Sequence, residues 1–148
     1  MSSRLMVFVA VAVFSLMAFA CGSSGEIPEA NSAESLAEAL KAGGMRVDGP
    51  NENDFLSRSY FSIEGVQFDA SGETILAYEF DDPAELTAQR DLVSPDGYGI
   101  GAKFIQWLVE PNYYQNGNLI VIYDGDKKLV TDTLTAAMGE PFVGGNPA

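Results

Sequence analysis

Three groups of side chains have types and spacings that bear on chemistry. Cys21 stands alone: the chain has one cysteine and no histidine. No intramolecular disulfide can form, and every scheme that needs an imidazole is closed, whether a Ser-His-Asp or Cys-His nucleophile or a histidine-ligated metal. Asp48, Asn51, Asn53 and Asp54 place four oxygen-bearing side chains in one short stretch, as a hard cation such as calcium requires. Their spacing departs from the EF-hand loop, no bidentate glutamate follows, and Asp and Asn in such a stretch serve as turn formers. No cofactor is therefore expected. Trp107, Tyr113 and Tyr114, with Tyr123 across a hairpin, concentrate aromatic surface. On an open face they would form a platform for a ligand or partner. Large aromatics favour the interior, so the expectation is core, with Tyr114 the more exposed member.

Two further patterns carry less. Glu64, Glu79 and Glu110 lie in or beside expected strands, and a facing pair of carboxylates would suit acid and base work on a sugar. Scattered solvent-facing glutamates are the ordinary state of a half-buried sheet. Asp96-Gly97-Tyr98-Gly99-Ile100-Gly101 is glycine-rich, but it follows a helix and precedes a strand, the reverse of a phosphate-cradling order. It reads as a flexible loop. The nucleophile-elbow and P-loop patterns are absent from the sequence.

The elements that must position these residues begin after an export segment. Leu5–Ala20 (LMVFVAVAVFSLMAFA) has no ionisable side chain and follows Arg4. It is short for a spanning helix and suits the apolar region of a signal peptide. Ala18-Phe19-Ala20 supplies a small-residue cleavage site, followed at once by Cys21 and Gly22-Ser23-Ser24-Gly25. This stretch resembles the bacterial lipoprotein signal, which implies that Cys21 is acylated, becomes the mature N-terminus and holds the protein on a membrane outside the cytoplasm. Ordinary cleavage after Ala20, releasing a soluble protein, is the alternative, and an uncleaved anchor the third.

Beyond Cys21 the charge is strongly negative. The whole chain carries −13, and losing Arg4 with the export segment leaves −14. Such a field repels phosphate backbones and anionic lipid, so nucleic acid is not an expected partner.

Residues 21–31 read as a flexible tether and 32–142 as one α+β domain, with 143–148 a disordered tail. Ala33, Leu36, Ala37 and Leu40 share one helix face, with Asn31 and Glu34 as its cap and Gly43-Gly44 as its stop. The stretch 48–54 reads as a loop. Period-two alternation from Ser59 through Phe80, broken at Ser71-Gly72, predicts strands. Asp82-Pro83-Ala84-Glu85 starts a second helix, running to about Val93. Lys103–Val109 is expected as a strand next to the one holding Tyr114, and Asn116-Gly117 as a hairpin turn into Leu119–Tyr123. Val130, Leu134, Ala137 and Met138 line a last helix that Gly139 stops. The architecture is a mostly antiparallel sheet of four to six strands with about three helices on one face.

The run of YEFDD, SPDG, the Trp107 strand, NYYQNGNLIVIYDGD and MGEPF resembles a group of small bacterial lipoproteins of unknown function. The resemblance implies export and an α+β fold and carries no activity. The function expected is interaction or ligand binding, with an unknown protein or small molecule as partner. Carboxylate-dependent hydrolysis of envelope material is the alternative.

Overall fold

The computed structural model describes residues 25–51 and 60–145; Cys21, Asn53 and Asp54 lie outside them. The chain is α+β, with three helices, a five-stranded antiparallel sheet and a two-stranded hairpin among the described residues.

Helix α1 (Ala33–Ala42) starts at Ser32, one residue past the expected cap. Ser32 Oγ accepts from Ser35 N at 3.1 Å, and Ser35 Oγ accepts from Ser32 N at 3.0 Å, which satisfies two otherwise orphaned donors. Strand β1 (Val47–Asn51) occupies part of the stretch expected as a loop. It pairs with β2 (Val66–Ala70), which turns through Ser71-Gly72 into β3 (Glu73–Glu79). Helix α2 (Pro83–Arg90) is capped by Asp82, whose Oδ1 accepts from Ala84 N at 2.9 Å. A small hairpin, β4 (Gly99–Ile100) and β5 (Lys103–Phe104), stands where a flexible loop and a longer strand were expected. Strands β6 (Asn112–Asn116) and β7 (Leu119–Tyr123) form the last hairpin, and α3 (Lys128–Met138) ends at Gly139.

The sheet order is β1-β2-β3-β7-β6. Strand β7, Leu-Ile-Val-Ile-Tyr, lies inside the sheet and is buried along its whole length, as a strand covered on both faces must be. Leu119, Val121 and Tyr123 point to the face under α1 and α3, where they meet Leu36, Leu40 and Leu134. Ile120 and Ile122 point to the other face, against Phe61, Leu86 and Ile105. Two helices thus share one face, while α2 crosses to the other, because Leu86 packs with Phe80 and Ile120. An irregular layer completes that second cover: residues 60–64, the β4–β5 hairpin, 105–107 and 142–143.

The expected strand over Lys103–Val109 stops at Phe104. The outer edge of β6 that it would have joined is already taken. Tyr113 N donates to Val143 O at 2.8 Å and Phe142 N donates to Tyr113 O at 2.8 Å. Residues 143–145, expected to belong to a disordered tail, are therefore bonded to the sheet edge, with Gly145 N donating to Asn112 Oδ1 at 2.8 Å. At the other end, Ala30 is buried and its N–H donates to Ala137 O at 2.9 Å. Ile27 also packs on the core, so the last part of the expected tether belongs to the domain.

Candidate functional site

The aromatic residues do not form one platform. Adjacent residues of a strand point to opposite faces, so Tyr113 and Tyr114 enter different cores, at 0 % and 1 % exposure. That corrects the expectation of a partly exposed Tyr114. Burial pushes both phenols up from their ordinary range. Trp107 is half-buried and does not occupy a strand next to β6. It lies on the second face, edge-to-face with Tyr113 at 6.4 Å and tilted against Tyr60 at 5.3 Å. Its indole Nε1 donates to Gly97 O at 2.9 Å, and Tyr113 Oη donates to the same carbonyl at 2.8 Å. Gly97 is buried with φ 75°, and a Cβ there would come within 2.8 Å of Pro111. One glycine carbonyl therefore pins the β4–β5 hairpin and the loop that follows Trp107.

Of the oxygen-bearing stretch, Asp48 and Asn51 are described, and Asn53 and Asp54 lie outside the described residues. Asp48 sits on edge strand β1 with Arg46 Nε 3.6 Å from its Oδ2, and Asn51 pairs across the sheet with Gln67. Among the described residues no group of three or more Asp, Glu, Cys or His side chains converges as a metal would require.

Glu79 and Glu110 stand apart along the sheet. Glu79 Oε2 accepts from Ala33 N at 2.9 Å at the start of α1. Glu110 precedes Asn112, which pairs with the far end of β7, whereas Glu79 pairs with its first residue, Leu119. Four residues of strand, about 13 Å, stand between these levels, more than a paired acid and base would span.

What the fold builds instead is an open cleft of about 850 Å³ beside edge strand β6. Tyr114 and Asn112 supply its floor and Lys128, Thr131, Asp132, Thr135 and Ala136 of α3 one wall. Val109, Glu110, Asp126, Glu140 and Pro141 also line it. Helix α3 gives its apolar stripe, Val130, Leu134 and Ala137, to the core, which turns Lys128, Asp132 and Thr135 toward the cleft at helical spacing. Lys128 Nζ donates to Asp132 Oδ1 and Oδ2 at 2.8 and 2.7 Å. No cation among the described residues pairs with Glu110, Asp126 or Glu140.

A part-buried knot of Glu73, Tyr123 and Lys127 precedes α3. Tyr123 Oη donates to Glu73 Oε2 at 2.7 Å, and Lys127 Nζ lies 2.5 Å from Glu73 Oε1. The Lys127 ammonium, then the Tyr123 hydroxyl, hold the Glu73 carboxyl below its usual range, while burial and then Glu73 raise the Tyr123 phenol. Asp124 beside them is pushed up by burial and then by the charge on Glu73.

Sequence reading missed the cleft. The polar stripe of α3 is visible in its periodicity, but a stripe of that kind ordinarily faces bulk water, and only the packing of 109–112 and 140–145 encloses it. No helix among the described residues is long and apolar enough to cross a membrane. No family model, no curated protein and no solved structure matches the chain.

Proposed function

We propose that this chain is a lipid-anchored extracytoplasmic module that works by binding, and that its binding surface is the cleft between α3 and β6. The observation that carries the reading is the cleft itself, within the volume range of ligand sites and lined by apolar surface together with several polar groups. The anchor rests on the apolar run before Cys21 and its resemblance to a lipoprotein signal. Two acyl chains hold stably where one does not.

Anchoring would also orient the domain. Cys21 precedes the packed residue Ile27 by six positions, a reach of at most about 20 Å. Ala30 is bonded to the C-terminal end of α3, and Glu29 Oε1 accepts from Asn116 Nδ2 at 2.9 Å. The membrane would therefore lie at that end, and the opposite end of the cleft, at Asp126 and Lys128, would point away toward a partner.

Both halves have a direct measurement. Metabolic labelling with a fatty-acid analogue marks the wild type and leaves Cys21→Ser unlabelled; an unlabelled, soluble wild type means ordinary cleavage after Ala20. A photocrosslinking residue at exposed Ala136, in the cleft wall, captures a defined partner in native cells, and one at Glu38 on the outer face of α1 does not. Equal capture from both positions rejects the cleft as the binding surface.

A further inference from the structure

The cleft has a chemical character that narrows its occupant. Glu110, Asp126 and Glu140 stand at its rim without a cationic partner among the described residues, and its single lysine is already held by Asp132. Val109, Ala136, Pro141 and Tyr114 bring apolar surface to a lining that also holds Asn112, Thr131 and Thr135. Leu108, which precedes Val109 in the chain, is 95 % exposed.

We infer that the cleft docks a segment of a partner protein that carries lysine or arginine with apolar side chains between them. The inference rests on the cleft being the binding surface and adds the chemistry of what it holds. Unpaired carboxylates in the lining call for cations, and Val109, Ala136 and Pro141 call for apolar groups on the same ligand. The wall from Lys128 to Ala136 is about 12 Å long, which matches about four residues of extended chain. The charge of −14 beyond the export segment draws a basic partner and repels a second copy of this chain as well as anionic lipid.

The probe is a dye-labelled octapeptide of alternating leucine and lysine, titrated against the full-length protein in neutral detergent and followed by fluorescence anisotropy. A second peptide alternates serine and lysine, keeping the charge and losing the apolar groups. The leucine peptide binds, more weakly as salt rises, and the serine peptide binds at least tenfold more weakly. Glu110→Gln with Glu140→Gln weakens the leucine peptide about tenfold, as expected for two exposed ion pairs. Glu34→Gln with Glu38→Gln, exposed on α1 and equal in charge removed, leaves binding unchanged. Equal loss in the α1 pair overturns the inference in favour of general charge attraction. Equal affinity for the serine peptide overturns it in favour of a simple polycation. No peptide binding while crosslinks from Ala136 persist overturns the ligand chemistry and leaves the cleft as the binding surface; loss of both overturns both.

Discussion

Replacing Trp107 and Tyr113 by Phe, singly and together, tests whether one buried carbonyl fixes the loop that carries the cleft's lip. Gly97 O accepts from Trp107 Nε1 at 2.9 Å and from Tyr113 Oη at 2.8 Å. With either donor removed the carbonyl keeps a partner, so Tyr113→Phe costs about 1 kcal/mol, the net worth of one hydrogen bond. Trp107→Phe adds lost packing against Tyr60 and Tyr113, for a total of about 2 kcal/mol. With both removed the buried carbonyl is orphaned, a penalty of about 1–3 kcal/mol that neither single change incurs. The double variant is therefore destabilised by more than the sum, with a coupling of about 1–2 kcal/mol; the lost packing cancels in the cycle. At a urea dependence of about 2 kcal/mol per molar, that coupling moves the unfolding midpoint by roughly 0.5–1 M. Circular dichroism is the suitable signal, because Trp107 is the only tryptophan. A cycle that closes to within about 0.3 kcal/mol refutes the shared-carbonyl account.

The Glu73 carboxyl is held low by Lys127 and Tyr123, so its stabilising contribution is present above its unfolded pKa and lost as pH falls through the lowered folded value; Glu73→Gln flattens the acid limb of a thermal midpoint against pH curve. Asp124 has the opposite sign, because burial raises its folded pKa and the cost is present at neutral pH and relieved in acid. Asp124→Asn raises the midpoint at pH 7, and the gain disappears at low pH. Gly125→Ala places a Cβ against the ring and hydroxyl of Tyr123; the forced shift costs about 1–3 kcal/mol by chemical denaturation, and a change under 0.5 kcal/mol contradicts the close approach. Calcium or a chelator leaves the thermal midpoint in place, whereas a site filled to a hundred times its Kd would add about 2.7 kcal/mol, several degrees in a domain of this size.

The local elements were legible in the linear chain, because their causes are local. Asp82 and Pro83 start α2, Gly43 and Gly139 end α1 and α3, and the alternation of Thr74–Phe80 and the short turn after Asn116 build strands that need only a neighbour. The class follows from that order. Which edge each strand meets, and what covers each face, depends on contacts between distant residues. Val143 takes the edge of β6 from the Lys103–Val109 stretch, so Trp107 becomes a cover for Tyr113 rather than a strand residue. Leu86 carries α2 to the second face, although its periodicity reads the same for either face. The alternation that buries Tyr113 and Tyr114 in opposite cores was legible, but the burial of both was not, since it needs a layer on each side. The cleft is the furthest from the sequence: Glu110, Asp126 and Glu140 are ordinary surface carboxylates in the linear chain. They share a rim only because α3 packs on β6 and the C-terminal segment returns along the edge of that strand.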